Sequence, residues 1–230
     1  MISLFKTGAS CSSINIARCA LSLFLTYDLD IKNDATISRL FQSFYKQRPL
    51  KIKHFTFWPV KQVLDHLASF HPPSSLTLKQ LTLKTVALIA LTCSDRGQTM
   101  HLMNIENATI SPNSISFVIF DPLKHTKKVV RPKVIKCLSS DIPELNVCDY
   151  VTAYMNRTIT IRASHVAEGK EKPTQLFLSW ATKGPITRQT LSRWLKITLK
   201  NAGIDVSQFS GHSFRGAGLS SAYSHGASLQ

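Results

Sequence analysis

The chain has 230 residues, 43% of them hydrophobic and 18% charged, a globular composition that excludes collagen-like, coiled-coil and wholly disordered architectures. No run of 18 apolar residues is present, so the sequence offers no transmembrane helix. Twenty-eight Lys and Arg against 13 Asp and Glu give a formal charge of +15, which points to a polyanionic partner, nucleic acid ahead of a membrane surface.

Residues 1–27 carry Lys6 and Arg18, no acid, and an apolar run over 20–25. A transit peptide has these features, and so does an amphipathic helix of the folded domain, which is the reading preferred here. Ser12 and Ser13 are candidate caps for that helix, with Ile14, Ile16, Ala17, Ala20, Leu21, Phe24 and Leu25 as its apolar positions. A second helix follows Asp34 as N-cap, with Ile37, Leu40, Phe41 and Phe44 on one face, and stops before Arg48-Pro49. A third begins at Trp58-Pro59 and carries Val60, Val63, Leu64 and Leu67. The break His71-Pro-Pro-Ser-Ser75 is the expected domain boundary, giving a helical domain over 1–70 and a second domain over 74–230.

The pattern then changes. Residues 81–92 suit a buried helix, and 93–103 a turn and a second short one. Residues 108–120 alternate and are rich in β-branched and aromatic types, with Pro112-Asn113 as a hairpin turn, and 129–137 can return as a third strand. Helical patterns occupy 147–156 and 187–202, the latter capped by Thr187 and closed by Gly203, while 157–175 reads as a polar loop. The fold class expected is mainly α with a small antiparallel β-sheet (α+β).

Basic residues concentrate in two places. Lys124, Lys127, Lys128, Arg131, Lys133 and Lys136 fall together with no acid among them. Arg193, Lys196 and Lys200 fall at i, i+3 and i+7 on the 187–202 helix, near Arg188 at its start. A run of charge is commonly just a solvated face, but two such surfaces beside one sheet suit the phosphates of a duplex. The five cysteines are scattered and odd in number, as expected of reduced thiols inside a cell, and the eight histidines form no zinc-like cluster.

The most informative motif is His212-Ser-Phe-Arg215, within Phe209-Ser-Gly-His-Ser-Phe-Arg-Gly-Ala-Gly218. Chance alone supplies about 0.35 His-x-x-Arg spacings in a chain of this composition, so the motif is informative only with its partners. With them, the chain resembles the tyrosine recombinases of phage-integrase type, particularly those of animal mobile elements. The segment 88–103 is similar to the helix-turn-helix that presents the first catalytic arginine, here Arg96. Residues 120–126 resemble the hairpin turn with the catalytic lysine, here Lys124, although Lys127 and Lys128 lie in the same loop. Residues 176–179 and 186–203 resemble the strand and DNA-contacting helix that precede the histidine–arginine pair, here His212 and Arg215. Residues 12–18 are similar to part of the helical core-binding domain, so the resemblance runs over essentially the whole chain in the family's order.

The resemblance implies a nuclear or otherwise intracellular protein acting on double-stranded DNA, with no metal or other cofactor and no membrane. It also implies strand breakage and rejoining through a 3′-phosphotyrosyl intermediate, on a tetramer assembled on DNA. Two guanidiniums suit a phosphorane-like transition state because they bind non-bridging oxygens bidentately and stay charged at any working pH. A lysine can protonate the leaving 5′ oxygen, and His212 would assist proton transfer or orient the phosphate. Lys127, Lys128, Arg131, Lys133, Arg188, Arg193, Lys196 and Lys200 are the expected DNA contacts. In the family the tyrosine nucleophile lies well beyond the last residue here, and Tyr223, the one tyrosine after Arg215, belongs on the same helix as His212. The expectation is therefore a sequence cut short before its nucleophile, either a fragment of a recombinase or a non-catalytic DNA-binding remnant.

Overall fold

A computed structural model describes residues 1–25, 31, 33–49, 57–122, 131–224 and 226. The chain forms two compact units, Met1–Phe55 and Thr56–Gln230. The first holds α1 (Ile2–Lys6), α2 (Cys11–Phe24) and α3 (Ala35–Gln47). Ser10, not Ser12 or Ser13, caps α2: its extended backbone lets its hydroxyl accept the Ser13 N–H, and the two later serines lie inside the first turn. Asp34 caps α3 as expected, accepting the Ile37 N–H at 2.8 Å. Phe5, Cys11, Ile14, Phe41 and Phe44 make the core, with Phe5 and Phe44 stacked at 4.2 Å and the Arg48 guanidinium 4.0 Å above Phe5.

The dividing point lies earlier than the 71–75 break. Helix α4 (Val60–Ala68) belongs to the second unit because its apolar stripe, Val63 and Leu67, is buried in that unit's core with Trp58. Polar contacts anchor the same stretch: Trp58 Nε1 donates to Ser213 Oγ at 2.8 Å, and Gln62 Nε2 to the Ala202 carbonyl at 2.7 Å. Pro-Pro marks a turn between helices of one core rather than a separation of cores.

Helix α5 (Leu78–Cys93) is the axis of the second unit. Thr77 and Gln80 form a reciprocal capping box at its start, and the ten residues from Leu81 to Ala90 are all buried. Helices α7 (Val147–Ala167), α8 (Arg188–Asn201) and α9 (Ser213–Ser224) pack around it, with the short α6 (Gly97–His101) against α8. The sheet is a meander of β1 (Ala108–Ser111), β2 (Ser114–Ile119) and β3 (Lys133–Leu138), antiparallel throughout, with Phe117 opposite Ile135 and Ile115 opposite Cys137. Ile115, Phe117, Ile119, Ile135 and Cys137 face the core, the period-2 alternation of the sequence made visible. The mainly helical fold with a small antiparallel sheet is thus as the pattern predicts.

Two expectations are corrected. Residues 157–167 are not loop, because α7 continues for three further turns to Ala167. Polar residues fill its buried face there: Thr158 bonds back to the Tyr154 carbonyl at 3.0 Å, and Arg162, 3% exposed, donates to the carbonyls of Pro173, Gln175 and Leu176. Likewise 176–179 is not a strand but makes single bridges, Asn104 to Gln175 and Leu178 to Pro185. The Gln175 and Leu176 carbonyls accept from Arg162, the Leu178 N–H donates to the Tyr154 hydroxyl, and the Gln175 side chain bonds the Ile186 N–H and the His101 carbonyl.

Candidate functional site

The end of α5 sets the first wall of a cleft. Ser94 closes the helix in the left-handed region, at φ 47° and ψ 28°, and its hydroxyl donates to the Leu91 carbonyl. The reversal leaves Arg96 extended as the N-cap residue of α6, its carbonyl accepting the Thr99 and Met100 N–H groups at 2.9 and 3.2 Å. Its neighbour Asp95 is ion-paired with Lys133 at the start of β3. The second wall is the early part of α8, capped by Thr187, which presents Arg188 and Ser192 while Leu191, Trp194 and Leu195 enter the core. The third is the start of α9, where Gly211 and His212 lead into Phe214 and Arg215.

Close packing fixes the third wall against the other two. A Cβ on Gly211 would lie 2.7 Å from the Ser192 carbonyl, and one on Gly218 would lie 3.0 Å from the Leu91 carbonyl and 2.9 Å from Ser94 Oγ. Only glycine lets α9 approach α8 and the end of α5 this closely. Buried Phe214 and Ala217 complete the seat, with the Phe214 ring edge-on to Trp58 at 5.0 Å.

The cleft so formed has a volume of about 480 Å³, a floor of Ala90, Met100, Leu191, Leu195 and Phe214, and a rim of Arg96, Arg188, His212 and Arg215. These four rim side chains are exposed, and among the described residues none makes a hydrogen bond or ion pair. Asp95, the one acid in the lining among the described residues, is paired with Lys133. The N-terminal end of the twelve-residue α9 lies at the same rim, where the helix dipole adds partial positive charge. Such a lining suits an anion with several oxygens: three guanidiniums offer paired donors, and an apolar floor weakens water's competition.

Arg96, His212 and Arg215, three of the four expected catalytic residues, therefore line one cleft, although 119 residues of sequence separate Arg96 from Arg215. Lys124, the fourth, lies outside the described residues, as do Lys127 and Lys128. Of the expected DNA contacts, Arg188 lines the cleft itself. Arg193, Lys196 and Lys200 form an exposed stripe about a third of a turn round α8 from it. Arg131 is exposed, whereas Lys133 is half-buried against Asp95. Tyr223 does not line the cleft; it sits 68% exposed, roughly 12 Å along α9 from Arg215. Sequence reasoning missed Asp95, Ser192 and the seating glycines. The glycines stood inside the quoted 209–218 motif and could have been read as close-approach positions.

No protein-family model matches the chain, and no curated protein matches it in sequence. Solved structures do match in fold. A lambda integrase dimer bound to a COC′ core site aligns with 97% of this chain and 55% of its own at TM-score 0.56 and 12% identity. The XerH site-specific recombinase, in a post-cleavage complex with palindromic difH substrate, aligns with 87% of this chain and 48% of its own at TM-score 0.53 and 12% identity. The XerA recombinase aligns with 96% of this chain and 72% of its own at TM-score 0.52 and 14% identity. The chain thus spans about half the length of the first two, and its α+β architecture is the tyrosine-recombinase fold.

Proposed function

We propose that the cleft binds a backbone phosphate of duplex DNA, and that the chain is a DNA-binding protein of the tyrosine-recombinase type. The observation that carries this is the convergence of Arg96, Arg188, His212 and Arg215, all unpaired among the described residues, on one cleft. Arg96 and Arg215 would grip the non-bridging oxygens, and their charge would stabilise the pentacoordinate arrangement that phosphodiester exchange passes through. His212, beside Arg215, would move a proton or orient the phosphate. Arg193, Lys196, Lys200, Arg131, Lys127 and Lys128 would hold neighbouring phosphates, with Lys124 the general acid. The helical unit at residues 1–55 would add contacts of its own to the duplex.

The solved neighbours support the reading, since the XerH and lambda integrase structures are complexes with DNA sites and another lambda integrase structure is a tetramer on a Holliday junction. Breakage and rejoining through a phosphotyrosyl intermediate, oligomerisation on DNA and a place in the nucleus belong to the same proposal.

Duplex affinity measured against salt tests it. Binding should weaken steeply with salt, and Arg96→Ala and Arg215→Ala should each lower the log–log slope by about 1. Unchanged affinity and slope in both variants would remove the cleft from the interface. A suicide duplex with a nick beside the scissile position then separates holding from cutting: a covalent protein–DNA adduct means strand cleavage, and binding without one means a non-catalytic clamp.

A further inference from the structure

Beside the cleft, the C-terminal end of α5 and the inward side of β3 meet at two points. One is the Asp95–Lys133 ion pair. The other is a pair of thiols: Cys93 Sγ lies 3.4 Å from Cys137 Sγ. Lys133 and Cys137 share one side of β3, being four residues apart on a strand, so the two contacts stitch one seam. A disulfide bond is about 2.05 Å long, so the two sulfurs need only close by roughly 1.4 Å, a change within reach of side-chain rotation.

The two thiols differ in ways that assign them different parts. Cys93 is partly exposed, whereas Cys137 is fully buried in β3. Either sulfur can donate in this contact, and the hydrogen bond from Cys137 pulls the Cys93 pKa down, helped by Thr92 and Lys133 and opposed by burial and Asp95. The same hydrogen bond, with burial, pushes Cys137 up. Cys93 is thus the sulfur that an oxidant can reach, and the lowered pKa favours its thiolate over that of Cys137. Cys148, near the Cys137 carbonyl at 3.6 Å, is buried with its pKa raised by desolvation, and has no such access.

We propose that Cys93 and Cys137 are a peroxide-oxidisable dithiol, forming a reversible disulfide that clasps α5 to β3 directly behind Arg96. The Cys93 thiolate attacks one oxygen of hydrogen peroxide, the O–O bond breaks, and Cys93 becomes a sulfenic acid as hydroxide leaves and takes up the proton that Cys93 had released. Cys137 then attacks the sulfenic sulfur, the S–O bond breaks, and water leaves with the Cys137 proton. Two thiols give up two hydrogens and hydrogen peroxide is reduced to two waters. Reaction of the disulfide with a dithiol reverses it.

The test treats the reduced full-length chain with hydrogen peroxide, blocks remaining thiols with N-ethylmaleimide, and maps peptides by mass spectrometry without reduction. Expected is a linked pair of peptides carrying Cys93 and Cys137, lighter by two hydrogens and separated by dithiothreitol. Cys93→Ser should abolish the link and Cys148→Ser should retain it, so the result does not depend on altering buried Cys137. The proposal is overturned if Cys93 stays open to alkylation while exposed Cys19 oxidises, if Cys93 passes to the sulfinic acid unlinked, or if Cys137 links to Cys148. No nucleic acid enters the experiment, so its failure leaves the phosphate reading standing and the converse also holds.

Discussion

Lys84 and Arg162 are both cations withdrawn from water, at 1% and 3% exposure, and they sit there on different terms. Arg162 is always charged and is matched by three carbonyls, so it ties α7 to the 173–176 segment. Lys84 has one hydrogen bond, to the Phe70 carbonyl at 2.6 Å, and rests 3.9 Å over the Tyr150 ring. Burial lowers its pKa to about 8, with Glu144 opposing. A lysine whose folded pKa lies below its unfolded value destabilises the fold at neutral pH, and that penalty is relieved as pH rises from about 8 towards 10.5. Lys84→Met should therefore raise stability by about 1–3 kcal/mol at pH 7, since the Phe70 carbonyl keeps the Tyr150 hydroxyl as a donor. The advantage should shrink across that pH window, where the raised thiols Cys137 and Cys148, which do not touch Lys84, contribute alike in both proteins and cancel in the difference. Urea unfolding at pH 7 and pH 10 checks this; a variant less stable than wild type at pH 7 would show the cation to be a net anchor.

Among the elements, α9 carries the greatest functional weight on the smallest side chains. Gly218→Ala adds helix propensity worth about 1 kcal/mol, but its Cβ would press on the Leu91 carbonyl, backbone that cannot turn aside as the Ser94 hydroxyl can. The helix must then shift by a few tenths of an ångström, and the net expectation is a loss of about 1–2 kcal/mol. Arg215 moves with the helix, so duplex affinity should fall while Arg131, on another element, stays where it is. Equal stability and affinity in the variant would show that the seat has slack. Helices whose burial is apolar, α3, α4 and α8, were legible from periodicity, and so was the β1–β2 hairpin with its turn at 112–113. The second half of α7 was not, because Thr158 and Arg162 bury polar atoms that only tertiary partners satisfy. The cleft was legible as a set of residues through the resemblance, but Asp95 was not, since its pairing with Lys133 joins positions 38 residues apart with no local pattern.

At the scale of the molecule, the two units differ in what they bury. The described core cluster of the first is five residues, Phe5, Cys11, Ile14, Phe41 and Phe44, and Ile31 is buried outside that cluster. That of the second is a continuous cluster built on Trp58, the whole middle of α5, the sheet and helices α7 to α9. The sequence placed the boundary at the strongest local breaker, whereas cohesion follows buried area, and α4 goes with the larger core. Segments of the first unit's size are marginal alone, while a domain of about 170 residues buries enough surface to fold by itself. A chain beginning at residue 57 should therefore melt cooperatively and bind duplex DNA with the same sensitivity to Arg215→Ala. A chain beginning at residue 74, the boundary expected from sequence, should not, because it lacks Trp58, Val63 and Leu67, each no more than 2% exposed. Losing three such side chains costs several kcal/mol, comparable to the whole stability of a domain. Circular dichroism melts of the two chains decide the matter. Equal cooperativity would mean that α4 and Trp58 are an ornament on the core rather than part of it.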